Sequence, residues 1–165
     1  MEWVVFGLLF WFFYSRSKKK RAKKEFEKAV RGHSKVQQRY DNYLASLPSL
    51  AGDGSFSQEI RGEQAYAEAI DLFGQFIQDY HPGEDEILVM VEVEPNNKYD
   101  KDAVRVEAGQ TTVGYIPREQ ALEFGNELRR FGGRATCTAR LYWSPEDGKS
   151  SITLDVVRPL ETLED

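Results

Sequence analysis

Apolar residues in the second half of the chain recur with two different periods, which predict strands and helices in turn. The run ILVMVEV predicts a strand, with Ile87, Val89, Val91 and Val93 on one face and at first mostly apolar residues on the other. The short runs AVRVE and TTVGYI lie on either side of Gly109 and predict a hairpin. Two further strands are predicted over 134–143 and 151–157, joined through the turn sequence SPEDGK.

Two segments of the same region carry the helical period. In AYAEAIDLFGQFI the larger apolar side chains fall on one stripe, which consists of Tyr66, Ile70, Phe73 and Ile77. Pro117 opens a second helix, because proline is tolerated in the first helical turn, and this helix ends near Phe131, before two glycines. Five or six strands with two helices predict an α+β domain built on a small, partly open β-barrel.

The N-terminal run WVVFGLLFWFFY contains no charged residue and is apolar on every face of a helix. It is short, because about 20 apolar residues are needed to cross a bilayer. A cleavable signal peptide would carry positive charge before the run, whereas here Glu2 precedes it and Arg16 follows it. An interfacial helix would show a polar face. We therefore predict a single-pass transmembrane anchor over residues 1–15 in the cell membrane, with the C-terminal domain in the cytoplasm.

The next region is predicted to be a basic, helical stalk over residues 16–47. Its cluster from Arg16 to Lys24 is suited to anionic lipid headgroups, and a nucleic-acid-binding arm is the alternative. Residues of one helical stripe then recur at steps of three and four: Phe26, Ala29, His33, Val36, Tyr40, Tyr43 and Leu47. This pattern indicates either a coiled-coil seam that forms a homo-oligomer or a stalk that packs on its own domain.

The remaining segments are assigned from turn formers and charge. Pro48, Gly52 and Gly54 predict a flexible linker over residues 48–58, and residues 159–165 are predicted to be an acidic tail. Residues 15–39 hold eleven Lys/Arg and two Glu, while residues 40–165 hold eleven Lys/Arg and twenty-four Asp/Glu. The chain therefore carries its positive charge in the stalk, and its folded head is acidic.

The chain lacks the residue patterns of the common catalytic and metal sites. The single cysteine, Cys137, forms no internal disulfide, and together with His33 and His81 it shows no zinc-ligand spacing. No nucleophile stands beside a base in a known pattern, and the phosphate-binding motif G-x-x-x-x-G-K-[ST] is missing from the sequence. We therefore expect a binding module with no metal or cofactor, and not an enzyme.

Three sequence segments resemble the HIRAN domain. EPNNKYDKDAVRV followed by VGYIPRE is similar to the signature of that family, and the upstream RGEQAYAEA resembles its opening segment. The resemblance covers about one hundred residues, assigned here to 59–158, and implies an OB-like barrel that captures the free 3′ end of single-stranded DNA. Lys98 stands where the family usually has proline.

The resemblance also implies a set of site residues. Asn97, Tyr99 and Asp100 match the end-binding loop of the family, and Arg118 matches a basic residue that contacts a backbone phosphate. Arg61 and Tyr66 resemble the upstream arginine and base-stacking positions. From the residues alone, NNKYD predicts a loop closed by short polar side chains, which presents an aromatic face and a carboxylate.

Two functions follow from these features. The first is a membrane-tethered module that binds single-stranded DNA at its 3′ end, with Tyr115 as a further stacking surface. The second is a membrane-attached adaptor that uses the same fold to bind a protein partner, which would suit the acidic surface of the head.

Overall fold

The computed structural model describes residues 35–163 of the chain. Residues 35–45 are helical, and residues from Leu44 onward form one compact unit. Within the described range, no helix combines the length and apolar character needed to cross a bilayer. The predicted anchor and most of the predicted stalk lie outside the described residues.

The compact unit is built on one antiparallel sheet of six strands. The strands are β1 (Gln58–Glu59), β2 (Glu86–Val93), β3 (Val104–Ala108), β4 (Thr111–Tyr115), β5 (Arg134–Ser144) and β6 (Lys149–Asp155). Their order across the sheet is β1-β6-β5-β2-β3-β4. The sheet curls into a half-barrel, so that the chain just after β1 meets β4 again through an isolated bridge between Arg61 and Tyr115. This architecture confirms the predicted α+β class and the OB-like, partly open barrel.

Two α-helices pack against the curled sheet. Helix α1 (Ala67–Tyr80) follows a short 3-10 helix (Glu63–Tyr66) that the sequence pattern did not predict. It turns Ile70 fully into the core, with Phe73 and Ile77 packed beside it, as its apolar stripe predicted. Helix α2 (Arg118–Arg129) begins after Pro117 and buries Ala121, Phe124, Gly125 and Leu128. The helices and the sheet share one apolar core, and burial of this core stabilises the curled sheet.

The hairpin of β3 and β4 fixes the position of Tyr115. Its two turn residues, Gly109 and Gln110, both have positive φ, which matches the twist of a two-residue hairpin. A register shift between Val106 and Glu107 then sets Tyr115 opposite Arg105. Because a bulge changes which residues face each other, it determines which side chain reaches the rim of the barrel.

The segment predicted to be a flexible linker is part of the folded domain. Leu50 and Phe56 are buried, and Thr136 exchanges backbone hydrogen bonds with Pro48 and Leu50 along the edge of β5 that β6 leaves unpaired. The segment predicted to be an acidic tail is also docked, because Leu160 is buried. The prediction of a flexible linker was wrong because the residues that pair with this segment, such as Thr136, lie far from it in sequence.

Candidate functional site

A pocket of about 380 Å³ opens where the two edges of the curled sheet meet. Its volume lies within the range of small-ligand sites in proteins. All seven site residues that the sequence indicated line this pocket: Arg61, Tyr66, Asn97, Tyr99, Asp100, Tyr115 and Arg118. Gly62, Ala103 and Ile116 complete the wall. The fold thus brings together residues from three separate sequence segments, and their part in binding stays a prediction.

The floor of the pocket is the bridge that closes the barrel. The Arg61 amide donates to the Tyr115 carbonyl at 2.7 Å, and the Tyr115 amide donates back to the Arg61 carbonyl at 2.8 Å. Gly114 permits this approach, because a Cβ atom at that position would lie 2.8 Å from the Arg61 carbonyl oxygen and 2.7 Å from Ile60 Cδ1. Glycine is therefore required at this position of the VGYIP segment because the backbone of Arg61 passes too close for a side chain.

The loop between β2 and β3 is closed by its own short polar side chains, as the sequence predicted. Asn97 Oδ1 accepts from the amides of Tyr99 at 3.0 Å and Asp100 at 3.2 Å. Asp100 Oδ1 in turn accepts from the amide of Asp102 at 2.9 Å. These Asx-type bonds order the loop although Lys98 stands in place of a proline.

Three tyrosines give the pocket its aromatic surface. The rings of Tyr66 and Tyr115 lie 6.3 Å apart, tilted by 41°, which is a favourable geometry for an aromatic pair. Tyr99 stands apart from them at the tip of the loop and is 89% exposed. All three rings line the pocket and can offer a face to a planar ligand group.

Two arginines and one carboxylate supply the charge. Arg118 Nε lies 3.5 Å from Asp100 Oδ2, and the arginine side chain is 82% exposed whereas that of Asp100 is 22% exposed. Arg61 makes a longer contact of 3.9 Å with Glu119. Ion pairs this exposed contribute little stability, so an anionic ligand can compete for either guanidinium.

The sequence did not indicate Glu94, whose side chain hydrogen-bonds to two residues that line the pocket. Its Oε2 atom accepts from Asn97 Nδ2 at 2.8 Å and from the Tyr115 hydroxyl at 3.0 Å. Burial, together with hydrogen bonds to Tyr66 and Glu94, raises the pKa of Tyr115. The only sequence signal for Glu94 was its place as the first residue of EPNNKYDKDAVRV.

The described residues contain no group of His, Cys, Asp and Glu side chains arranged to hold a metal ion. The pocket instead offers rings, one carboxylate and two guanidinium groups. Such a set can stack on a planar group, accept a hydrogen bond and pair with an anion.

Comparison with known proteins gives one match. The family model described as HIRAN domain matches residues 60–161, a span that contains every residue lining the pocket. No curated protein and no solved structure matches the chain significantly.

Proposed function

Because the chain belongs to the HIRAN domain family, we propose that its pocket binds nucleic acid and recognises the free 3′ end of single-stranded DNA. The observation that carries the proposal is the meeting of Tyr66, Asp100 and Arg118 with four further predicted residues in one pocket. This arrangement supports the proposal because it could offer a terminal nucleotide stacking, a hydrogen-bond acceptor and a phosphate contact.

The aromatic residues would hold the base. Stacking of a base on an aromatic side chain contributes about 1–3 kcal/mol and depends little on sequence. Tyr99 is the most exposed of the three tyrosines, whereas Tyr66 and Tyr115 are held as a pair. We therefore expect Tyr99 to close over a base from the solvent side and the pair to support the base or sugar from within.

The charged residues would select the end. Asp100 Oδ2 can accept from a 3′-hydroxyl, and a 3′-phosphate in that place would be repelled by the carboxylate. Arg118 would leave its exposed contact with Asp100 to pair with the phosphate on the 5′ side of the terminal sugar, and Arg61 would support a second phosphate.

The acidic head limits the interaction to the end of the strand. Residues 40–165 carry twenty-four Asp/Glu against eleven Lys/Arg, so a long polyanion gains little from the surface beyond the pocket. With two phosphate contacts, the logarithm of the binding constant should fall against the logarithm of salt concentration with a slope of about −1.4. Affinity is expected to be on the order of micromolar.

Fluorescence anisotropy with the full-length chain tests the proposal. A single-stranded oligonucleotide with a 3′-hydroxyl should bind more tightly than the same strand with a 3′-phosphate, and a circular strand should bind least. Tyr99→Ala should weaken binding, whereas Tyr142→Ala should not, because Tyr142 is exposed on β5 and does not line the pocket. Equal binding of both ends would refute end recognition, and no binding at low salt would favour the protein-adaptor function.

We also propose that the chain acts by binding alone and that residues 1–15 tether it to the cell membrane with the head in the cytoplasm. The charge-free apolar run and the basic cluster from Arg16 to Lys24 support this orientation. Recovery in the soluble fraction after a carbonate wash would refute the tether, and digestion of the head by protease outside intact cells would reverse the topology. Sedimentation of the full-length chain in detergent tests whether the stalk forms a homo-oligomer.

A further inference from the structure

The side chain of Glu94 connects two parts of the pocket that are far apart in sequence. One of its oxygens, Oε2, accepts from Asn97 Nδ2 in the loop and from the Tyr115 hydroxyl on β4. The Glu94 amide donates to the carbonyl of Ala103, so both ends of the loop are fixed at this residue. The carboxylate is therefore held in a position where it can only accept from its two neighbours.

The contact with Glu94 fixes the direction of the Tyr115 hydroxyl. A tyrosine hydroxyl has one proton, and that of Tyr115 is donated to Glu94. The Tyr115 oxygen is thereby left with lone pairs only and has no proton to offer to a ligand.

We propose that Glu94 sets the hydrogen-bond polarity of the pocket, making Tyr115 an acceptor and so favouring a ligand that ends in a hydroxyl over one that ends in a phosphate. The inference rests on the proposed recognition of a 3′ end and adds a specificity-determining residue to it. Glu94 acts here as a positioning residue, because it reaches the ligand only through the Tyr115 hydroxyl.

The same polarity agrees with the other groups that face the ligand. Asp100 presents Oδ2 as an acceptor, while its other oxygen is engaged with Asp102. Asn97 Oδ1 is used by the amides of the loop. Asp100 and Tyr115 therefore both offer acceptors, which suit an O–H or N–H group of the ligand, while the guanidinium groups of Arg61 and Arg118 are the donors for a backbone phosphate.

Substitution of Glu94 by alanine removes the acceptor of the Tyr115 proton. In Glu94→Ala this proton is free to point into the pocket. In the full-length chain, the ratio of Kd for 3′-phosphate to Kd for 3′-hydroxyl oligonucleotides should fall by roughly 3- to 10-fold. Glu123→Ala removes the same charge from the exposed face of α2 and should leave the ratio unchanged.

A double-mutant cycle separates polarity from charge. Tyr115→Phe removes the hydroxyl without changing the net charge and should lower the same ratio. Because Glu94 acts through that hydroxyl, Glu94→Ala should have little further effect in the Tyr115→Phe background. An equal fall in both backgrounds would show a simple charge effect and overturn the proposal, as would an unchanged ratio in Glu94→Ala.

A second measurement needs no DNA. In alkaline titrations followed by tyrosinate absorbance, Glu94→Ala should bring one more tyrosine into titration at lower pH than in the unmodified chain. This tyrosine should be missing when Tyr115→Phe is combined with Glu94→Ala. If the absorbance change occurs but neither end binds, the Glu94 contact stands and the proposed function fails. If the absorbance is unchanged, the polarity proposal fails whatever the oligonucleotides do.

Discussion

The contact between the two edges of the sheet beside the pocket can be tested by replacing Gly114 with alanine, which adds one methyl group. In Gly114→Ala, the added Cβ would meet the Arg61 carbonyl oxygen at 2.8 Å and Ile60 Cδ1 at 2.7 Å. The Ile60 side chain can rotate, but the carbonyl belongs to a backbone that is itself bound to Tyr115. The substitution should therefore push the two edges of the sheet apart.

The expected cost follows from what is lost. If the edges separate, two backbone hydrogen bonds of 2.7 Å and 2.8 Å are broken. At about 0.5–1.5 kcal/mol net for each bond, the free energy of unfolding falls by about 1–3 kcal/mol. If the edges stay together, the overpacked methyl group costs about 1–3 kcal/mol instead. Either outcome lowers Tm by roughly 4–12 °C for a domain of this size.

Denaturant and thermal unfolding of Gly114→Ala measure this cost, and Gly125→Ala is the matched control. A Cβ at Gly125 would lie 3.4 Å from Val104 Cγ2, which is ordinary contact, and alanine is favoured over glycine within a helix by about 1 kcal/mol. The control should be neutral or slightly stabilising. If both variants unfold like the unmodified chain, the close approach at Gly114 does not hold the sheet edges together and our account of the pocket floor is wrong.

Three further predictions concern charge and burial. Arg118→Ala should reduce the salt dependence of oligonucleotide binding by about 0.7 in slope, whereas Arg129→Ala on the same helix should not, as anisotropy at several salt concentrations would show. Burial raises the pKa of Glu127, but the hydrogen bonds it accepts, first from Arg158, outweigh burial and leave it below the ordinary 4.5. The ionised Glu127 therefore stabilises the fold above pH 4.5, and this contribution is lost as the pH falls through the lowered pKa. Glu127→Gln should lower the free energy of unfolding by about 1.5–3 kcal/mol at neutral pH and by little in acid, as denaturation curves at the two pH values would show. Burial raises the pKa of Cys137 to about 12, so iodoacetamide should label this thiol only after unfolding, and labelling of the native chain would contradict its burial.

The regular elements of the head could be predicted because their apolar periods are strong. The strand from Glu86 to Val93 and the helix beginning after Pro117 occur where the pattern placed them. Strand β1 was missed because Gln58–Glu59 contains no apolar residue and is only two residues long. Its pairing with β6 depends on the curl of the whole sheet, which no local pattern records.

The residues that line the candidate site were predicted largely through the resemblance to the family. Glu94, which hydrogen-bonds to two of them, was not predicted. Seven residues indicated by the sequence meet in one pocket because the bridge between Arg61 and Tyr115 brings their segments together. Glu94 was overlooked because a glutamate beside a turn usually faces solvent, and its hydrogen bond to Tyr115 spans twenty-one positions of sequence.

Long-range partners also explain the wrong prediction of a linker. Gly52 and Gly54 resemble a flexible segment, yet Asp155 Oδ1 accepts from the amides of Asp53 at 3.1 Å and Gly54 at 2.9 Å. A carboxylate about a hundred positions away can satisfy these amides only once the sheet has formed.

The pairing of residues 48–50 with Thr136 determines where the domain can be truncated at its N-terminal end. A fragment limited to the family match, residues 60–161, would lack Leu50, Phe56 and β1. Its β5 would then expose unpaired amide and carbonyl groups around Thr136, next to an uncovered apolar surface. Such a strand edge is a template for pairing with another chain, so the shorter fragment should aggregate where a fragment starting at Leu44 stays monodisperse.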